Sequence, residues 1–207
     1  LIGRLIYFSV FKNGIYKRQV LSQQNYSSET LPYKRGDILD RDGNTLATSQ
    51  KMYTLVLEPK NILRSEEVQK ATIDALHKYM KLDEDKLLKF IKRHKDSYYS
   101  VYREELSYSQ IADLKDFIAS DKAENVSGIV FNEKYKRRYP NQSLASQVIG
   151  FVSDGTIGTG GIEQYYNSTL SGVDGRKYKY LNEELEQDSS IVEPENGKTV
   201  VTTIDSN

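Results

Sequence analysis

Apolar residues recur every three or four positions in three segments of the chain, 65–81, 84–94 and 107–119, and this spacing predicts three amphipathic helices. Each helix is expected to begin at a residue whose side chain can cap its first turn: Ser65, Asp83 and Ser107. Their apolar stripes are short. We therefore expect the part of the chain that holds them to close only a small core.

Runs rich in β-branched and aromatic residues alternate with polar turns over the rest of the chain, which predicts strands. The predicted strands are 52–59, 98–102, 128–139, 175–181 and 199–204. The strand at 175–181 alternates tyrosine or arginine with lysine, a pattern typical of an edge strand. Two further helices are expected at 143–149 and 162–170, the second ending at Gly172 in a left-handed conformation.

The order of these elements predicts a discontinuous organisation. Residues 35–59 and 128–207 are strand-rich and are expected to form one body, the pedestal, while the mainly helical residues 60–127 are inserted as a head lobe. The polar residues 12–34 are interpreted as a linker. The predicted fold class is α+β, an elongated pedestal of strands and short helices with an inserted helical lobe. Because its core is small, the head lobe is expected to be less stable than the pedestal and mobile.

Charge and composition exclude several functions. The 29 Lys and Arg residues balance the 29 Asp and Glu residues, so the chain has no electrostatic footprint for nucleic acid. The chain contains no cysteine, which removes disulfides, thiolate catalysis and cysteine-ligated metals. The two histidines lack the spacing of metal ligands. We therefore expect no metal and no cofactor.

The first eleven residues are apolar, with Arg4 as an interruption. Such a segment is too short to span a bilayer, which takes roughly 20 apolar residues. It is either the trailing end of a longer hydrophobic anchor or an amphipathic helix that packs on its own domain.

Four groups of residues carry a resemblance. They occur in a fixed order along the chain: Arg35, Gly36, Asp40, Arg41 and Gly43; then Arg138, Tyr139 and Pro140, with Arg137 directly ahead of them; then Gly161 and Glu163; and finally Thr203, Ile204 and Asp205. In this order the chain resembles the N-terminal module of class B penicillin-binding proteins. The signal is strong because several matches occur together.

The resemblance implies a pedestal and head that position a penicillin-sensitive D,D-transpeptidase, which follows in the same polypeptide and cross-links peptidoglycan. The implied partners are that transpeptidase domain, a membrane-embedded glycosyltransferase of the shape, elongation, division and sporulation family, and other envelope-assembly proteins. The implied location is the extracytoplasmic face of the bacterial cell membrane. Residues 1–34 would then be the remnant of the membrane anchor and its linker. The connection at 152–158 is closer to the Gram-positive division or sporulation branch.

The chain is expected to be non-catalytic and to stop just before the catalytic domain. The family's transpeptidase needs S-x-x-K, S-x-N and K-[ST]-G motifs. Ser9 and Lys12 fit the first by letters only, S-x-N does not occur, and Lys198-Thr199 is followed by Val200. Two alternatives remain open: a stand-alone regulatory binding protein of the cell envelope, and an acid–base enzyme that uses Asp40, Asp42 or Glu163.

Signature residues that are far apart in the sequence are expected to meet in the fold. We hypothesise that Arg35 and Glu163 form a partly buried ion pair that joins the first signature to the 162–170 helix. The alternative is that Glu163 only favours the positive end of its own helix.

Overall fold

The computed structural model describes residues 27–140, 146–153, 156–181 and 187–205. The predicted anchor remnant, most of the predicted linker, Ser9 and the beginning of the predicted 143–149 helix lie outside these ranges. Among the described residues, no helix is long and apolar enough to cross a membrane.

The fold is mixed α and β, and the chain separates into two compact units. One unit contains the residues up to Ser49 together with those from Arg137 onwards, and the other is Gln50–Lys136. The second unit is therefore inserted into the first along the chain. It begins ten residues earlier than the predicted head lobe and ends nine residues later, since 50 and 136 stand where 60 and 127 were predicted.

The described residues form ten strands and seven α-helices. The strands are β1 (Ser27–Leu31), β2 (Ile38–Leu39), β3 (Thr45–Leu57), β4 (Ser100–Leu106), β5 (Ile129–Arg138), β6 (Phe151–Ser153), β7 (Ile157–Thr159), β8 (Gly175–Leu181), β9 (Gln187–Val192) and β10 (Val200–Val201). The helices are α1 (Pro59–Ile62), α2 (Glu66–Met80), α3 (Glu84–Arg93), α4 (Tyr108–Ile118), α5 (Ser146–Ile149), α6 (Gly161–Tyr165) and α7 (Asn167–Leu170), with a 3-10 turn at Asp121–Ala123.

The three long helices of the second unit confirm the predictions from apolar spacing. Ser65 caps α2, because its hydroxyl accepts a hydrogen bond from the Val68 amide at 3.2 Å. Asp83 caps α3 in the same way through the Lys86 amide at 2.8 Å. Helix α1 was not predicted. Pro59, the last residue of the predicted 52–59 strand, lies in the first turn of this short helix, where a missing N–H costs nothing.

The core of the second unit is larger than predicted. It combines residues of all four helices with residues of β3 and β4: Tyr53, Leu55, Leu57, Ile62, Ile73, Ala75, Leu76, Leu82, Leu87, Ile91, Leu106, Ile111 and Leu114. The expectation of a small core counted the helical stripes and the 98–102 strand, and it left out β3, because residues 52–59 were expected to belong to the pedestal. The size of the core therefore no longer gives a reason to expect the inserted lobe to be less stable than the pedestal.

The first unit is built from several small sheets. Strand β2 pairs with β10 in parallel and with the start of β3 antiparallel. Strands β6 and β7 form an antiparallel pair. A three-stranded sheet has the order β1-β8-β9, so β8 is its central strand and not the predicted edge strand. The prediction was wrong because residues 27–31 were assigned to a linker, whereas they pair with β8 along its length.

The predicted 162–170 helix is two short helices, α6 and α7, which meet at Tyr166. Helix α7 ends at Ser171 in an extended conformation, so Gly172 is not the left-handed stop that was predicted. Gly172 is required for a different reason. A Cβ atom there would lie 2.0 Å from the backbone oxygen of Glu195.

Candidate functional site

A buried carboxylate lies at the centre of the first unit. Glu163, in the first turn of α6, has no exposed surface, and its Oε2 accepts a hydrogen bond from Nε of Arg35 at 2.9 Å and forms an ion pair with Nη2 at 2.9 Å. Nη2 of Arg35 also donates to the backbone oxygen of Glu163 at 3.0 Å. The predicted ion pair is therefore present, and it is fully buried. A hydrogen bond between two charged groups, such as this one, is about twice as strong as a bond between neutral groups.

A second arginine completes this network. Nε of Arg137, at the end of β5, donates to Oε1 of Glu163 at 2.8 Å. Its Nη1 donates to the backbone oxygen of Gly36 at 2.8 Å and to the hydroxyl of Ser49 at 3.0 Å. We call Arg35, Arg137 and Glu163 the charge hub. Each oxygen of one carboxylate is thus held by a different guanidinium.

The hub ties together chain segments that are distant in sequence. Nη1 of Arg35 reaches the backbone oxygen of Thr156, before β7, at 3.0 Å, and the hydroxyl of Ser171, after α7, at 2.8 Å. The hydroxyl of Ser49 donates in turn to the backbone oxygen of Arg35 at 3.1 Å. One arginine therefore fixes the β1–β2 connection against β3, β7 and the end of α7.

Two glycines of the signatures allow the backbone to pack closely around the hub. A Cβ atom on Gly36 would lie 2.0 Å from the backbone oxygen of Lys198, so no side chain fits there. Gly161 has a φ of +52°, and a Cβ on it would lie 2.1 Å from the backbone oxygen of Val148. A side chain at either position would push neighbouring segments away from the hub.

Asp40, Arg41 and Gly43 of the first signature lie at a turn. The buried Asp40 accepts hydrogen bonds from the amides of Asp42 and Asn44 at 2.9 and 2.7 Å, which closes the turn that contains the exposed Gly43. Arg41 lies at the surface and forms ion pairs with Asp205 and Asp42. Arg41 does meet a distant signature residue, but that residue is Asp205 of the last signature and not Glu163.

The positions of Asp40, Asp42 and Glu163 do not support the acid–base hypothesis. The carboxylate of Glu163 is buried between two guanidinium groups, and the carboxylate of Asp40 holds its own turn. Asp42 is exposed beside Arg41. An acid–base pair needs two carboxyl groups that face a common substrate, and these three side chains serve packing and turn geometry.

In the second signature, the arginine at the hub is Arg137 and not Arg138, which was selected from the sequence. Arg138 is exposed, as is Pro140. The period of two along a strand could have identified Arg137, because residues two apart share a face and Tyr139 was already part of the signature. The hydroxyl of Tyr139 donates to Oε1 of Glu163 at 3.3 Å.

An exposed apolar surface lies on the same unit. Val148 of α5, Phe151 of β6, Ile157 of β7 and Tyr165 of α6 each expose more than half of their surface, and Tyr165 exposes 81%. Phe151 pairs with Thr159 and Ile157 pairs with Ser153, so the two apolar side chains share one face of the hairpin. We call these four residues the apolar patch. Sequence reasoning missed it, because all four residues lie in elements of three to five residues that show no periodicity.

Among the described residues, no group of histidine, aspartate or glutamate side chains could hold a metal ion. The hub has one clear electrostatic consequence. Burial raises the pKa of Tyr139 to about 12, and the nearby Glu163 carboxylate acts in the same direction. The phenol therefore stays protonated and can donate its hydrogen bond across the physiological range.

This shift predicts a loss of stability in strong base. The folded state holds the pKa of Tyr139 at about 12, above its usual value of 10.0, so the stabilisation is complete below pH 10 and is lost as the pH rises towards 12. Tyr139→Phe should remove this dependence. In a spectrophotometric titration, the wild-type minus Tyr139→Phe difference should show a phenolate midpoint near 12 when folded, and near about 10 in urea. A midpoint near 10 in the folded protein would contradict the buried position.

Comparisons with known proteins agree with this fold. The family described as the penicillin-binding protein dimerisation domain matches residues 30–202. Peptidoglycan D,D-transpeptidase FtsI of Buchnera aphidicola subsp. Schizaphis graminum is 27% identical over 175 residues, which are 83% of this chain and 30% of the relative. The chain thus spans less than a third of that relative.

Two solved structures share the fold. Penicillin binding protein 2X from Streptococcus thermophilus superposes with a TM-score of 0.66 at 25% identity, over 87% of this chain and 29% of the other. PBP2 in its complex with MreC from Helicobacter pylori superposes with a TM-score of 0.52 at 23% identity, over 84% and 35%. The family match covers most of the sequence and includes every signature that forms the hub. The chain therefore belongs to the penicillin-binding protein dimerisation domain family.

Proposed function

We propose that this chain is the non-catalytic module that positions a peptidoglycan D,D-transpeptidase and receives its partners. The observation that carries the proposal is the apolar patch, which lies on the unit that the charge hub holds together. Exposed apolar side chains that lie together on a protein surface mark sites of interaction, and Phe151 and Ile157 share one face of the β6–β7 hairpin. The elements that carry the patch are short, and α6 is fixed at Glu163 by two arginines. The patch is therefore presented in a defined geometry.

The catalytic domain of the parent protein is the first proposed partner. The D,D-transpeptidase FtsI that resembles this chain is more than three times as long as the matched region. The last described segment packs along the first signature: β10 pairs with β2, and Thr202 donates from its amide to the backbone oxygen of Leu39 at 2.9 Å. A domain that follows Asp205 would begin from an anchored strand.

A membrane-embedded glycosyltransferase of the shape, elongation, division and sporulation family is the second proposed partner, together with other envelope-assembly proteins. The family resemblance supports the first of these, and the PBP2 structure, which was solved as a complex with MreC, supports the second. The proposed location is the extracytoplasmic face of the bacterial cell membrane. The apolar residues 1–11 would be the end of the anchor there.

The proposal predicts that the chain does not react with penicillin. Acylation needs a serine that an adjacent base activates, and the sequence contains neither S-x-N nor K-[ST]-G. A fluorescent penicillin should leave the 207-residue chain unlabelled in a denaturing gel, while a full-length transpeptidase in the same assay is labelled. Stoichiometric labelling of the chain that is lost in Ser9→Ala would make it an enzyme in its own right.

The proposal also predicts that the apolar patch is needed in cells. In the full-length parent, the double substitution Phe151→Ser and Ile157→Ser should leave expression and penicillin labelling unchanged, because both side chains are exposed. It should abolish complementation of a strain depleted of the parent. The matched control is Ile191→Ser, which removes another exposed apolar side chain, on β9, and should complement fully. Full complementation by the patch variant would contradict the interaction role.

A further inference from the structure

The second unit contains an open groove of about 430 Å³. It lies between helix α2 and the segment that leads from the end of α4 to β5. The lining residues are Ala71, Asp74, Ala75, Lys78, Tyr79, Phe117, Asp121, Lys122, Glu124, Asn125 and Val126. The groove belongs to this unit alone, and it contains none of the signature residues.

The floor of the groove is apolar and lies close to the helix backbone. Ala71 and Ala75 are one turn apart on α2, and their small side chains allow another chain to approach. Val126 adds a branched side chain, and the rings of Tyr79 and Phe117 stack with centroids 4.8 Å apart at 27°. A groove with small residues along its floor and an aromatic pair among its lining suits aliphatic side chains.

The rim of the groove is charged, with an excess of acid. Asp74, Asp121 and Glu124 are exposed, and none of them forms an ion pair within the part of the chain that the structure describes. Lys78 and Lys122 offset part of this negative charge. The amine of Lys78, however, lies over the ring of Tyr79, 5.0 Å from the ring centroid.

The acids on the sheet of the same unit behave differently. Glu133 pairs with Lys51 at 2.8 Å, Glu104 pairs with Lys134 at 3.4 Å, and Glu105 pairs with a further lysine of β5. The three carboxylates around the groove thus differ from those on the sheet, because no lysine of the described residues pairs with them.

We propose that this groove binds a segment of a partner protein that presents a lysine or arginine beside an aliphatic side chain. The aliphatic side chain would enter over Ala71 and Ala75, and the cation would meet Asp74, Asp121 or Glu124. This inference rests on the proposed function, since it names the chemistry of one partner. A volume of 430 Å³ is near the small end of the range for binding sites, about 300–1,000 Å³, so the occupant is a short segment. The negative rim disfavours phosphates and other anions.

Selection from a phage-displayed library of random 12-residue peptides, with the 207-residue chain as bait, tests this proposal. Enriched sequences should place lysine or arginine next to leucine, isoleucine, valine or methionine. The affinity of a fluorescein-labelled enriched peptide is then measured by fluorescence anisotropy. An enriched set without the cation would overturn the proposal, and so would a selection that enriches nothing.

Charge reversal at the rim locates the binding site. Asp74→Lys with Glu124→Lys should weaken binding of the peptide by about tenfold or more, because two carboxylates that attract its cation are replaced by amines that repel it. The matched control is Asp113→Lys with Asp116→Lys, the same charge change at two exposed positions of α4 outside the groove, which should change affinity less than about twofold. Equal loss in both double variants would reduce the effect to net charge and contradict a specific site.

A steric variant tests the floor independently. Ala71→Tyr should also abolish binding because the larger side chain fills the groove, and circular dichroism and the thermal midpoint show whether the variant folds. If it does not fold, the rim variants, which change only exposed positions, decide the outcome.

The two proposals fail in different ways. If groove variants bind the peptide as the wild type does, while the patch variant still fails in cells, the groove is refuted and the positioning role stands. If the patch variant complements fully while groove variants lose the peptide, the positioning role is refuted and the groove stands.

Discussion

One buried carboxylate shared by two arginines is the interaction on which the first unit depends. The apolar cluster of this unit is small, with Ile38, Leu46, Ala47, Ile149 and Leu170 as its buried members. Glu163, by contrast, joins segments that are 128 and 26 residues away in the sequence. Burying three charged groups is unfavourable unless the geometry and the remaining hydrogen bonds are good, and here backbone and hydroxyl oxygens accept most of the remaining N–H groups. Nη2 of Arg137 is the buried exception among the described residues.

This arrangement explains the residue types in the signatures. Only arginine offers a planar fork that can bind a carboxylate and several carbonyl oxygens at once, so lysine would not replace Arg35 or Arg137. Gly36 and Gly161 are small because neighbouring backbone lies against them. Part of the signatures, namely Arg35, Gly36, Gly161 and Glu163, therefore packs around one polar centre. The proposed interaction role depends on the same centre, because the centre fixes α6 and α6 carries Tyr165, one of the exposed side chains of the apolar patch.

Much of the fold could be predicted from the sequence because it depends on local rules. The three long helices follow from apolar spacing and capping residues, and the ion pair between Arg35 and Glu163 follows from the order of the signatures. The features that were predicted wrongly or missed depend on contacts between residues that are far apart in the sequence. Residues 27–31 have a polar sequence that gives no sign of a strand, yet they pair with β8. Arg137 and Arg138 are the same residue type at adjacent positions, and they differ only in that β5 buries the first side chain and exposes the second. The apolar patch combines four short elements that no single window of sequence contains.

A double-mutant cycle between Arg35 and Glu163 tests the central claim most directly. The free energy of unfolding in urea would be measured for wild type, Arg35→Ala, Glu163→Ala and the double variant, with Arg41→Ala as the surface control. Removing one partner of a buried pair should cost about 3–5 kcal/mol, and the two losses should be far from additive. The surface control should cost about 0–1 kcal/mol. If Arg35→Ala costs less than about 1 kcal/mol and the cycle is additive, the charge hub does not hold the unit together.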